Sequence, residues 1–253
     1  MLVCGKEGKM KTTKTAIIIP ARYNSSRLSG KPLLKAGGKS VIRWVWERAK
    51  SAKLADEVII ATDDERIFDE AKSFGANVEM TAESHSCGSE RIAEVAERHP
   101  EFGIIVNLQG DEPLIKPECI DAVTELLQND KNADITTLCT EITEEAQKND
   151  VSAVKTVFDK NGYAMYFSRS VIPFERNKNA AKHYKHIGIY AYRREALFDM
   201  IGFEKADCER AESLEQLRAL YNGMKIKVAV TDYNPVGIDT PADFEAFKKQ
   251  IEG

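Results

Sequence analysis

Hydrophobic positions in the first half of the chain fall into short runs separated by segments of helical period. Ala16 to Pro20, Glu57 to Ala61, Asn77 to Met80 and Ile104 to Leu108 are too short for helices and rich in β-branched residues, so they read as strands. Between them the apolar residues recur at helical spacing near 40 to 52, 64 to 74, 89 to 98 and 117 to 129, which predicts amphipathic helices. Strands alternating with helices imply right-handed crossovers, hence an α/β fold with a mostly parallel central sheet covered by helices on both faces. Past about residue 150 the pattern changes to longer β-like runs, Ala153 to Phe158, Tyr163 to Phe167 and His186 to Tyr192. We read that region, about 150 to 225, as a smaller lobe covering one side of the site or forming a dimer surface. Helical period returns at Ala211 to Leu220, followed by a strand at Ile226 to Thr231 and a helix from about Pro241. Residues 14 to 253 are expected to form one domain. Residues 1 to 13 read as an extension or tag, because periodic hydrophobicity begins only at Ala16.

A sheet of this kind binds ligands outside the carboxyl ends of its strands. The polar segments to inspect are therefore Arg22 to Lys31 after the first strand, Thr62 to Asp64 after the second and Gln109 to Pro113 after the fourth. The first breaks at Pro20 and places Arg22, Arg27 and Lys31 around Gly30, a loop suited to a polyphosphate. It is not a P-loop, which needs glycine at position 25 and Ser or Thr at position 32, where this chain has Ser25 and Pro32. The third, Gln109-Gly110-Asp111-Glu112-Pro113, could be a plain turn. A second aspartate, Asp239, stands before a well-marked helix start, with Thr240 as N-cap, Pro241 at the first helical position and Asp243 three residues after the cap. Two carboxylates on rigid elements can share a hard cation such as Mg²⁺, whose shell phosphate oxygens would complete. In His85 to Arg91, Ser89 is placed to cap a helix whose N-terminus can hold an anion or a nucleotide edge.

Composition narrows the class. Hydrophobic content of 43% and charged content of 30% are ordinary for a globular domain, and no apolar run approaches the length of a membrane span. The net charge is −4 although the first fourteen residues are lysine-rich, which argues against a general nucleic-acid binder. Five scattered cysteines without a Cys-x-x-Cys pair suggest free thiols in a reducing, cytoplasmic setting and no zinc site.

Seven segments then occur in a recognisable order: Ile19-Pro20-Ala21-Arg22 through Arg27-Leu28-Ser29-Gly30-Lys31-Pro32-Leu33; His85 to Arg91; Asn107 to Pro113; Tyr166 to Arg169 with Ile172-Pro173; His186 to Tyr190; Leu214 to Arg218; and Asp239-Thr240-Pro241. Over roughly residues 15 to 250 the chain resembles the CMP-Kdo synthetases, the 3-deoxy-manno-octulosonate cytidylyltransferases. The resemblance implies a three-layer nucleotide-diphospho-sugar transferase-like fold, a β-rich dimerisation subdomain and a homodimer. It also implies the reaction, in which the anomeric hydroxyl of Kdo (3-deoxy-manno-octulosonate) attacks the α-phosphorus of CTP to give CMP-Kdo and pyrophosphate for lipopolysaccharide biosynthesis. By that resemblance Arg22, Arg27 and Lys31 bind the triphosphate, Arg91 and Gln109 hold nucleotide and sugar, and Asp111 and Asp239 carry Mg²⁺. Arg169, His186, Tyr190, Glu215 and Gln216 would line the sugar-acid pocket. The chain departs from the usual pattern at Ser29, commonly proline, and at Cys87 and Ser89, commonly Ser and Thr. The rivals are a CMP-sialic acid synthetase or other sugar-acid activator, and a metal-dependent glycosyltransferase, although Asp111-Glu112-Pro113 lacks an Asp-x-Asp pair. From another class, a catalytically silent nucleotide-binding protein would not need both Asp111 and Asp239.

Overall fold

A computed structural model describes residues 13–24, 28–177, 180–234 and 237–253. In chain order the strands and helices are β1 (Lys14–Ala21), β2 (Lys35–Ala36), β3 (Lys39–Ser40), α1 (Val41–Lys50), β4 (Glu57–Thr62), α2 (Glu65–Ser73), β5 (Asn77–Met80) and α3 (Gly88–Arg98). There follow β6 (Phe102–Asn107), α4 (Pro117–Asn129), β7 (Ile135–Glu141), α5 (Glu145–Asn149), β8 (Lys155–Phe158), β9 (Ala164–Ser168) and β10 (Tyr184–Arg193). The chain continues through α6 (Arg194–Gly202), α7 (Asp207–Glu212), α8 (Gln216–Tyr221), β11 (Ile226–Val230) and α9 (Pro241–Glu252).

The central sheet runs β11-β7-β10-β6-β1-β4-β5. Its pairs β6-β1, β1-β4, β4-β5 and β7-β11 are parallel, whereas β10 runs antiparallel to both β6 and β7. Alternate residues of β1 serve opposite faces, as the pleat requires. Ile17 and Ile19 pack with Ile42, Val45 and Ile67 from α1 and α2, while Ile18 packs with Ile92 and Val95 from α3. Each side of the strand is therefore closed by helices, and all three isoleucines are fully buried.

The structure departs from the sequence reading in three places. Pro20 does not end its strand: β1 continues to Ala21 against β4, because β6 has already released β1 after Ile18 and no amide is needed on that side. The run Ile135–Glu141, which the periodicity did not single out, is strand β7, between β11 and β10 and buried at every position but the last. The helix expected over Ala211 to Leu220 is two short helices broken at Ser213, whose φ of 53° turns the chain left-handed. The region from about 150 shares the central sheet, which the β8-β9 hairpin joins through β10. Residues 1–12 of the expected N-terminal extension lie outside the described residues.

Candidate active site

The parallel strands β1, β4 and β6 end at one edge, and their following loops meet there. Gly30 closes the first loop by donating its amide to the Tyr23 carbonyl at 2.8 Å, with a φ of 67° that only glycine adopts without strain. The next residues, Lys31–Leu33, form a single 3₁₀ turn that holds Lys31. In the loop after β6, Gly110 lies so near β1 that a Cβ would stand 3.0 Å from the Pro20 carbonyl oxygen. Glycine there lets the acidic turn reach the β1 loop.

That approach brings the two aspartates together. Lys31 Nζ donates to Asp111 Oδ2 at 2.8 Å and lies 3.4 Å from Asp239 Oδ1. The Ile238 amide donates to the Asp111 carbonyl at 2.9 Å, tying the helix-entry segment to the acidic turn through backbone. Thr240 and Asp243 form the expected capping box at the start of α9. One positive centre thus contacts both carboxylates, and hard oxygen donors of this kind fit Mg²⁺. Among the described residues no group of three or more His, Cys, Asp or Glu side chains could hold a metal, so any such ion would take its remaining ligands from water and phosphate.

Two cavities flank this point. One, of about 360 Å³, is lined by Pro20, Arg22, Asn24, Lys31 and the Gln109 to Asp111 turn. The other, of about 380 Å³, is lined by Arg169, His186, Tyr190, Tyr192, Glu215, Gln216 and Asp239. Gly88, Gln109 and Asp111 line both. Gln109 donates from Nε2 to Asn107 Oδ1 at 3.1 Å, which orients its amide at the junction.

The second cavity is built for a polar, anionic guest. Arg169 is held by its own chain: Nε donates to the Glu212 carbonyl at 2.7 Å and Nη1 to the Val151 carbonyl at 3.2 Å. Beneath it, Lys155 is fully buried and donates to the carbonyls of Asp150, Ala153 and Arg169 at 2.9, 2.7 and 2.5 Å. A second buried cation beside Arg169 makes the region hospitable to a carboxylate. Among the described residues the Gln216 Nε2 has no hydrogen-bond partner although the residue is buried. A register shift in β10 between Ile187 and Tyr190 places Gly188 at the cavity wall.

His186 is buried, and burial lowers its pKa to about 3, so the ring is neutral. Its Nε2 lies 2.9 Å from Thr137 Oγ1, whose hydroxyl proton goes to the carbonyls of Ile187 and Ile189. The hydrogen-bond pattern therefore assigns the proton to Nε2 and leaves Nδ1 an acceptor. Neutral His186 also carries a prediction. Its folded pKa lies below its unfolded value, so its contribution is complete above pH 6.5 and is lost as pH falls towards 3. His186→Gln should flatten the acid side of the stability curve, recovering up to about 1.4 kcal/mol per pH unit relative to the parent below pH 6.5. Thermal unfolding of both proteins between pH 7 and pH 4.5 checks it, and parallel curves refute it.

Two expectations from the sequence meet a different arrangement, and a third falls outside the described residues. Arg91 lines neither cavity: it is fully buried, with Nη2 donating to Asp63 Oδ2 at 2.5 Å and Nη1 to Thr81. It braces the start of α3 against the end of β4. Ser89 is not the cap of α3. Cys87 takes the N-cap position without a side-chain bond, and the Ser89 hydroxyl instead donates to Glu215 Oε2 at 2.6 Å. Arg27 lies outside the described residues. The sequence also gave no warning of Glu112, a buried acid whose pKa is pushed up to about 8 by burial and then by the adjacent Asp111.

Comparison with known proteins gives the family. A family model described as cytidylyltransferase matches residues 16–226. The 3-deoxy-manno-octulosonate cytidylyltransferase of Thermodesulfovibrio yellowstonii is 49% identical over 248 residues, covering 93% of this chain and 97% of the relative. That of Fusobacterium nucleatum is 46% identical, covering 90% and 93%. A solved CMP:2-keto-3-deoxy-manno-octonic acid synthetase, complexed with CTP, superposes with a TM-score of 0.91 at 41% identity, covering 95% of this chain and 99% of that one. With a shared fold, near full-length identity of this level and an acidic pair joining two polar cavities, the chain belongs to the 3-deoxy-manno-octulosonate cytidylyltransferase family.

Proposed function

We propose that the protein transfers the CMP group of CTP to Kdo, giving CMP-Kdo and pyrophosphate. The observation that carries this reading is the meeting of the two cavities at Gly88, Gln109 and Asp111, where a phosphorus held from one side can meet a hydroxyl held from the other. The anomeric oxygen of the sugar acid bonds to the α-phosphorus, the bond to the β-phosphate oxygen breaks, and the hydroxyl proton passes to water as pyrophosphate departs. Such transfer depends on positioning and on neutralising charge more than on a strong base. Arg22 and Lys31, with Arg27 by resemblance, supply that charge for the triphosphate, and Gln109 orients the reactants at the junction. Arg91 acts indirectly, through the start of α3. Asp111 and Asp239 would hold Mg²⁺, which supplies charge neutralisation at the phosphates when bound.

The acceptor cavity takes the sugar acid. Arg169 forks its carboxylate, His186 Nδ1 and Glu215 accept from its hydroxyls, and Gln216 Nε2 donates to them. We further propose that the enzyme works as a homodimer in the cytoplasm. Support for the first comes from Met165 on β9 and Phe174, exposed at 66% and 87%. Support for the second comes from the free thiols Cys87, Cys119, Cys139 and Cys208, together with the absence, among the described residues, of any helix long and apolar enough to cross a membrane.

Pyrophosphate release measured with each nucleoside triphosphate in turn, and with Kdo, sialic acid or no acceptor, tests the function. Release with CTP and Kdo together is expected. Equal release with sialic acid, or with no acceptor, would refute it. Arg169→Lys keeps the charge and loses the planar fork, so its KM for Kdo should rise about tenfold while calorimetric CTP affinity stays within about twofold. Loss of CTP affinity with an unchanged Kdo KM would put this arginine on the wrong ligand.

A further inference from the structure

Glu215 stands just before α8, in a segment bent by the left-handed Ser213, and its carboxylate is gripped by a different element. Ser89 Oγ donates to Glu215 Oε2 at 2.6 Å, and Cys87 lines a small cavity of about 300 Å³ together with Glu215. Burial, and then Glu215 itself, push the Cys87 pKa up to about 11, which keeps the thiol a neutral donor. Ser89, Tyr192 and Asn107 line the same cavity as Glu215. All three are nearly inaccessible at 3% exposure, so Ser89 stands in a fixed wall rather than on the outer surface. Ser89 and Cys87, both at the start of α3, thus stand beside one carboxylate of the acceptor cavity.

We propose that Ser89 and Cys87 are positioning residues that set where Glu215 stands in the acceptor cavity, and through it how strictly the enzyme selects the hydroxylated tail of its sugar acid. The inference rests on the cytidylyltransferase reading above. It adds that selectivity at this pocket is governed from the N-terminus of α3 rather than only by the segment that carries Glu215.

The test compares the parent, Ser89→Ala, Ser89→Thr, Cys87→Ala, Glu215→Gln and the Ser89→Ala/Glu215→Gln double variant. KM is measured for Kdo and for its 8-deoxy analogue, with CTP affinity by calorimetry and melting temperature as the folding control. Ser89→Ala should raise the Kdo KM about tenfold with CTP affinity within about twofold. It should also narrow the preference for Kdo over the 8-deoxy analogue about fivefold, because a wandering carboxylate no longer rewards the correct hydroxyl. Cys87→Ala should move both quantities the same way and less, and Ser89→Thr, which retains the hydroxyl, should hold the Kdo KM within about threefold. If Ser89 acts through Glu215 the effects are non-additive, and Ser89→Ala changes the Glu215→Gln enzyme less than about twofold. An unchanged Kdo KM in Ser89→Ala, an equal loss for CTP, or additive effects in the double variant overturns the inference and leaves the proposed function standing. A parent enzyme that releases no pyrophosphate from CTP with Kdo overturns both.

Discussion

Asp111→Asn and Asp239→Asn should each lower turnover by about a thousandfold or more, roughly 4 kcal/mol, while leaving the fold intact. The contrast follows from where the atoms are. The backbone of Asp111 secures the site, since its carbonyl accepts from the Ile238 amide, whereas its side chain accepts from Lys31. Likewise the entry to α9 is fixed by Thr240 and Asp243. An asparagine keeps the shape and removes only the charge, so the melting temperature of the ligand-free protein should stay within a few degrees. What should vanish is the stabilisation that CTP and Mg²⁺ give together, which for the parent at a hundredfold excess over the dissociation constant is about 2.7 kcal/mol. Variants that remain active, or that keep the full ligand-induced rise in melting temperature, would return the acidic segment to a plain turn.

Lys31→Ala should reduce kcat/KM by about ten- to a hundredfold or more, the worth of one charge-assisted contact to phosphate at roughly 1.5 to 3 kcal/mol. Lys31 contacts both aspartates, so the substitution has a second consequence. It leaves two carboxylates facing each other without their shared cation. Without nucleotide, Mg²⁺ should therefore raise the melting temperature of Lys31→Ala more than that of the parent, because in the variant the ion no longer competes with an ammonium group. Arg22→Ala should share the kinetic loss and not the metal response. Parent-like kinetics in both variants would remove the triphosphate from this loop.

The strands that carry the site were legible because a buried parallel strand leaves an unmistakable apolar run, as Ile17 to Ile19 and Ile104 to Val106 do. β7 was not, since its threonines read as polar although Thr136 and Thr137 are fully buried and their hydroxyls bond backbone carbonyls. The break at Ser213 was equally silent, because helical spacing continues across it and no glycine or proline marks the turn.

By itself the sequence determined the alternation of strand and helix, the helix entry at Thr240-Pro241, and the inventory of charged groups at strand ends. These are local: they depend on period, on cap chemistry and on residue type, all of which are written in neighbouring positions. Which of those groups act together was decided only in three dimensions. The convergence of Asp111 and Asp239 on Lys31 needs β1, β6 and the start of α9 to meet, the withdrawal of Arg91 behind the site needs Asp63 at the end of β4, and the diversion of Ser89 from cap to Glu215 needs α3 to face the segment before α8. A side chain with one hydroxyl or one guanidinium bonds whatever partner the packing brings within reach, and for buried groups the long-range partner wins because leaving it unpaired costs more than giving up a local cap.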